Sequence, residues 1–278
     1  MKKLRQTLLF LAILFSSSAN AQLWFNSLEQ AQQIAKQQNK LLLVDFYADW
    51  CGPCKQLDMD VWSNDSAKEL MKKYVLVKIN VDYNKSDASS YGVKGIPHIA
   101  IATPWNNVLY QFVGYRDLSR VKPILKRYPE NVKSVYLNME NFKKEENFNN
   151  ATQLAMAYQS LATQCHKMGI NDFIKQSNIT LSKAKKLCEK SDKTALEKVE
   201  LMRMVNSSII GQHKRVLKYF TKKKSIDKVQ VDNKAIALCA LSNSYAHSNQ
   251  PDKANELKSQ IENKNYLQLT NQLMKLKK

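Results

Sequence analysis

The chain is poor in residues that interrupt regular structure. Its 278 residues include 6 glycines and 6 prolines, and after residue 130 only two glycines and one proline remain. That scarcity excludes collagen-like and Gly/Pro-rich low-complexity architectures and leaves little to break helices in the second half. Apolar runs are short as well. Leu8–Phe15 is far below the roughly 20 residues that a membrane-spanning helix needs. Cysteine is sparse: Cys51 and Cys54 form one CxxC pair, and Cys165, Cys188 and Cys239 stand apart. A structural zinc site asks for a second pair, or for histidines at ligand spacing. Neither is there, and His98 is the only histidine of the first half. The formal net charge is +19, yet no arginine cluster or aromatic-basic motif accompanies it. The lysines fall at helical spacing, as on solvated helix faces, so nucleic acid is not an expected partner.

The N-terminus has a different character. Lys2, Lys3 and Arg5 precede Leu8–Phe15, and Ala19-Asn20-Ala21 follows. Charged, apolar and A-x-A segments in that order predict a secretory signal peptide over residues 1–21, cleaved after Ala21. No cysteine lies at the cleavage site to accept a lipid. The expectation is an exported protein without a transmembrane segment after cleavage, either in a bacterial periplasm or secreted, where disulfides persist. The remainder divides by composition into residues 22–129 and 130–278. The first carries 14 basic and 10 acidic residues, the second 26 and 14.

The first part is organised around one stretch. Leu41–Tyr47 is an apolar run that predicts a buried strand. Cys51-Gly52-Pro53-Cys54 follows at its carboxyl end and opens a helix, with Pro53 suited to the first turn. A thiol there faces unpaired backbone N–H groups and the positive end of the helix dipole, both of which favour thiolate. Cys51 is therefore expected to be the more acidic and more exposed thiol, with Cys54 shielded one turn further in. Such a pair is equipped for dithiol–disulfide exchange. A zinc half-site and a purely structural disulfide are the alternatives; Trp50 and the intervening Gly-Pro weigh against both. Asp45 lies within the apolar run, where a charge costs free energy unless it has a task.

These residues resemble the thioredoxin family. Asp45 to Lys55 is similar to its active-site segment, Lys78–Asp82 to its central strand, Tyr91–Pro97 to its cis-proline loop, and Gly114 to a glycine of its last strand. The likeness covers about residues 24–128 and is closest to periplasmic thioredoxin-like domains of the thiol:disulfide interchange type. It implies an α/β fold, a central mixed sheet flanked by helices. It also implies that Cys51 is the nucleophile, Cys54 the resolving thiol, Asp45 the proton-transfer group, and Lys78 the partner of Asp45. Trp50, Gly52, Pro53, Ile96 and Pro97 would line the substrate contact, with Cys51–Cys54 as the redox disulfide and no metal or cofactor. Substrates would be protein disulfides or dithiols, and the redox donor a membrane thiol:disulfide interchange protein. Met59 stands where thioredoxin has a helix-kinking proline, which predicts a straighter helix. His98 is read as a strand residue facing away from the thiols.

Outside the resemblance, residues 130–278 read as an all-α stack of helical hairpins with spans at 151–168, 171–190, 193–210, 213–223, 232–248, 252–263 and 265–276. Turns are expected at Met168-Gly169, Ser191-Asp192 and Asn249-Pro251. Leu238, Leu241, Tyr245 and Ala254 resemble one tetratricopeptide unit, although no clean second copy follows. The leading reading is an exported thiol–disulfide oxidoreductase whose helices bind partners. The alternative is a helical-repeat adaptor or chaperone whose first domain captures thiols or only docks. Cys165, Cys188 and Cys239 are read as small buried hydrophobes.

Overall fold

A computed structural model describes residues 23–276. The signal-peptide expectation, residues 1–21, lies outside the described residues. Five strands form one sheet: β1 (Trp24–Phe25), β2 (Leu41–Tyr47), β3 (Tyr74–Asn80), β4 (His98–Ala102) and β5 (Val108–Val113). Their order is β1-β3-β2-β4-β5. The first three run parallel, and β4 and β5 are antiparallel, so the sheet is mixed as expected. β2 sits at the centre, covered on both faces, which explains its nearly unbroken apolar run.

Alternation along β2 sorts the two layers. Leu42, Val44 and Phe46 face α1 (Leu28–Gln38), packing with Leu28, Ala31 and Ala35. Ser27 caps α1 by accepting from the Gln30 N–H, and Asn39 ends it in the left-handed conformation. Leu41 and Leu43 face the opposite layer, with Leu57, Val61 and Trp62. That layer is built from α2 (Gly52–Leu57), α3 (Asp65–Met71) and α5 (Leu118–Leu125); the short α4 (Lys85–Ser90) follows β3. α2 is not regular to its end: Asp58–Trp62 continues it as a π-helical turn, with Ser63 N–H donating to the Asp58 carbonyl five residues back. Replacing proline by Met59 does not yield a regular helix. The wider turn occurs where Asp58 and Trp62 both reach toward Lys78 and Asp45, and such turns recur at functional sites.

The helical part comprises α6 (Lys133–Lys144), α7 (Phe148–Ala162), α8 (Lys167–Leu187), α9 (Lys193–Ile209), α10 (His213–Lys218), α11 (Lys234–Ala246), α12 (Pro251–Ser259) and α13 (Lys264–Lys275). Tyr219–Lys223 prolongs α10 as a π-helical turn. α11 and α12 form a hairpin that turns at Asn249 and restarts at Pro251, and Asp192 caps α9. α6 was absent from the sequence expectation. Its N-cap, Val132, supplies no side-chain hydrogen bond; Asn131, one residue earlier, accepts from the Lys133 N–H at 2.9 Å, and Val135, Tyr136, Met139 and Phe142 fall at helical spacing. Gly169 corrects a second expectation. It is not a turn residue but lies inside α8, where an added Cβ would come 2.7 Å from the Arg127 carbonyl oxygen. The glycine permits that approach, and the turn falls just before it, where the His166 N–H donates to the same carbonyl.

The helices do not hang from the sheet by a linker. Leu41, Leu43, Ile99 and Ile101 belong to the same apolar cluster as Val132, Tyr136, Tyr158 and Phe173. The Tyr136 hydroxyl donates to the Lys40 carbonyl, and its ring meets Trp105 edge-on at 5.0 Å. Arg127 lies over the Tyr110 ring at 3.8 Å and pairs with Asp172, which also accepts from the Tyr128 hydroxyl. No helix among the described residues is long and apolar enough to cross a membrane.

Candidate active site

Cys51 and Cys54 are joined as a disulfide at the start of α2. Cys51 is the N-cap, and its Sγ accepts from the Cys54 N–H at 3.2 Å. The strand that ends at Tyr47 delivers the pair, and α2 aims its unpaired N–H groups at them. In this oxidised form both cysteines are 3% exposed, so the expected difference in exposure is absent. Both sulfurs are locked into one small ring, and they pack with Ala48 and the half-buried Tyr47, Val81 and Ile96. Around them Gly52 and Pro53 are exposed, and Trp50 is 70% exposed with its indole N–H donating to Asp82 at 3.0 Å. Pro97 is buried and follows a cis Ile96–Pro97 bond.

Asp45 and Lys78 are opposite residues on β2 and β3. Their side chains meet at 3.4 Å, with Asp45 buried and Lys78 mostly so. Two residues the sequence reading did not assign complete the cluster. The Trp62 indole N–H donates to Oδ2 of Asp45 at 2.9 Å, and Asp58 forms a closer ion pair with Lys78 than Asp45 does. Oδ1 of Asp45 is buried without a hydrogen-bond partner. Burial raises the pKa of Asp45 from 3.8 to about 6; Lys78 and the Trp62 hydrogen bond oppose that rise, and the nearby Asp58 adds to it. Lys78 also lies 5.4 Å from the Trp24 ring and 5.3 Å from the Tyr47 ring, contacts that help to hold its ammonium under the sheet edge. The helical spacing of Asp58 and Trp62 from Cys54 was the available signal for both.

His98 sits on the other layer. It pairs with Phe46 across the strands, contacts that ring edge-on at 5.8 Å, and lies 3.3 Å from Gln111. Burial pushes its pKa down. His98 thus lies on the sheet face opposite Asp45. No group of three or more His, Cys, Asp or Glu side chains able to hold a metal occurs among the described residues.

The thioredoxin family model matches residues 24–127. Thioredoxin-T of Drosophila melanogaster is 39% identical over 83 residues, which are 30% of this chain and 51% of that protein. The thioredoxin of Rickettsia conorii is 43% identical over 60 residues, 22% of this chain and 55% of its own. Residues 24–127 are a thioredoxin-family domain. The chain spans about half the length of the curated relatives it matches. Among solved structures, Trichomonas vaginalis thioredoxin aligns with 37% of this chain and 93% of its own, at 36% identity and a TM-score of 0.31. The thioredoxin domain thus includes the CxxC pair, Asp45, Lys78 and Pro97, and the helices from α6 onward extend it.

Of the remaining cysteines, Cys239 is fully buried and its thiol is pushed up to about 12 by that burial. Burial raises Cys165 too, although its side chain is partly exposed. Cys165 and Cys188 are not bridged.

Proposed function

We propose that this protein is an exported thiol–disulfide oxidoreductase that reduces or exchanges disulfides of periplasmic proteins. The observation that carries the reading is the Cys51–Cys54 pair in a thioredoxin-family domain, with Cys51 capping a helix. In the reduced protein the Cys51 thiolate attacks one sulfur of a substrate disulfide. The substrate S–S bond breaks, one substrate thiolate leaves, and a mixed disulfide forms. Asp45 accepts the Cys54 proton, and Cys54 then attacks Sγ of Cys51. The second substrate thiolate departs, and two electrons have passed from protein to substrate. A donor dithiol returns them, and a membrane thiol:disulfide interchange protein suits that task.

Lys78 tunes Asp45, while Trp50, Gly52, Pro53, Ile96 and Pro97 form the contact face around the thiols. The helices α6–α13 choose partners, in the manner of helical repeats. The signal-like residues 1–21 support export, and a single CxxC pair in a reductant-like Gly-Pro setting supports reduction as the net direction. The test is insulin reduction by the mature chain with dithiothreitol as donor. The wild type should precipitate the B chain well above the uncatalysed rate, and Cys51→Ser should fall to background. Equal rates for both would sink the assignment.

A further inference from the structure

His247 is the half-buried C-cap of α11, and each nitrogen of its ring faces a backbone carbonyl. Nδ1 lies 2.9 Å from the Asn243 oxygen, one turn back in the same helix. Nε2 lies 3.0 Å from the oxygen of Leu276, the C-cap of α13. The two contacts differ in kind. The Asn243 carbonyl is local and already accepts the His247 backbone N–H. The Leu276 carbonyl belongs to the last turn of another helix, where carbonyls have no intrahelical partner.

A carbonyl oxygen only accepts. Neutral imidazole has one N–H and one acceptor nitrogen, whereas imidazolium has two N–H groups. Both contacts are therefore hydrogen bonds at once only in the imidazolium. In the neutral ring, one nitrogen turns a lone pair toward a carbonyl oxygen, and that contact is repulsive. Histidine is the side chain whose charge ordinarily changes between pH 5 and 8. Across that interval the bonds His247 can make fall from two to one.

The surroundings suit a single cationic ring. His247 stacks on His213, the first residue of α10, with centroids 4.9 Å apart and planes within 7° of parallel. Two charged rings that close repel. His247, with an acceptor at each nitrogen, is the ring placed to hold the charge. Both rings line a cavity of about 370 Å³, with Cys165 and Lys167 around the start of α8 on the same lining. No Asp or Glu among the described residues lines it, so no carboxylate competes with the two carbonyls. The rest of α13 is anchored by buried Tyr266, Leu269 and Leu273 and by a 3.1 Å hydrogen bond between Thr163 and Gln272. None of these changes charge between pH 5 and 8.

We propose that His247 is a proton-operated latch for the C-terminal end of α13. In acid the imidazolium ties Leu276 to α11. As pH rises the ring gives up a proton, keeps the local bond to Asn243 and releases the Leu276 carbonyl, so the last turn of α13 opens. Leu273 and Leu276 line the cavity, and that opening uncovers its apolar wall. The latch is independent of the thiol chemistry.

The experiment is hydrogen–deuterium exchange of the mature full-length protein at pH 5.5 and pH 8.5, corrected for intrinsic exchange at each pH. A peptide from α13 is read relative to one from α7. Its relative protection should be roughly three- to tenfold greater at pH 5.5, the worth of one hydrogen bond. His247→Phe keeps an aromatic ring against His213 and removes both nitrogens; His247→Gln keeps a polar side chain that does not titrate. In each variant the ratio between the two pH values should fall to one. A variant that fails to fold loses protection in α7 and is recognised there, and the other variant then decides. A ratio of one in the wild type overturns the proposal without any variant. A ratio that survives in either folded variant overturns it too, because the titrating group then lies elsewhere.

Discussion

The indole N–H of Trp62 donates to Oδ2 of Asp45 across 2.9 Å, inside the apolar layer beneath the redox-active pair. The same oxygen faces Lys78, while Oδ1 has no hydrogen-bond partner. One oxygen of the carboxylate is thus held in place, and the other is left to carry a proton.

Trp62→Phe keeps an aromatic ring near Trp24, whose centroid lies 5.7 Å away, and removes the N–H together with the pyrrole half of the indole, a packing loss that does not depend on pH. A hydrogen bond to a charged group contributes about 1.5–3 kcal/mol, and a neutral one about 0.5–1.5 kcal/mol. Urea unfolding of the oxidised variant should therefore show a loss that is larger at pH 8 than at pH 4 by about 1 kcal/mol, the difference between those two ranges. An equal loss at both values would mean that the indole acts by shape alone.

Asp45→Asn tests the buried charge itself. The folded protein holds its proton up to about pH 6, against 3.8 for the ordinary side chain. Burial of the carboxyl therefore costs nothing below about pH 4. Stability is then lost as pH rises through 6, because the unfolded chain releases the proton first. At 1.36 kcal/mol per pKa unit, the ionised group costs on the order of 2–3 kcal/mol at pH 8. The asparagine variant should be more stable than wild type by that order at pH 8, and the gap should close near pH 3.5. A constant difference across that range contradicts the assigned burial cost.

Gly169→Ala should destabilise by about 1–3 kcal/mol, because the new methyl group meets backbone 2.7 Å away and a core-side chain segment cannot shift freely. Chemical denaturation measures it directly. An unchanged midpoint would show that the turn before α8 gives way easily.

Reduced protein offers a further check. With the disulfide opened, Cys51 at the N-cap is the thiol that the α2 N–H groups favour as thiolate. Limiting iodoacetamide at pH 7, followed by peptide mapping, should find Cys51 alkylated first. Cys54→Ala should accumulate mixed disulfides with protein substrates. Preferential labelling of Cys54 would reverse the two roles.

Much of the sheet domain was legible because its signals are local. Leu41–Tyr47 reads as a buried strand from its apolar run, and Cys51-Gly52-Pro53-Cys54 reads as the opening of a helix with Pro53 in its first turn. What escaped depends on contacts distant in sequence. Asp58 gains its meaning only from Lys78, twenty positions on, and Trp62 only from Asp45, seventeen back. Gly169 looked like a turn because the Arg127 carbonyl that requires it lies in another part of the chain. α6 is capped from one residue outside the usual position, by Asn131 and not by Val132, although its apolar spacing was present.

The single apolar cluster that runs from Leu43 through Tyr136 to Phe173 also sets a mechanical limit. Helices that share a core with the sheet cannot swing about Pro129 as a tethered arm would, because interiors packed this way are stiff. Anything gripped along α6–α13 is presented to Cys51 at a fixed offset. The helices would then act as a gauge, favouring disulfides that lie at one distance from the gripped segment.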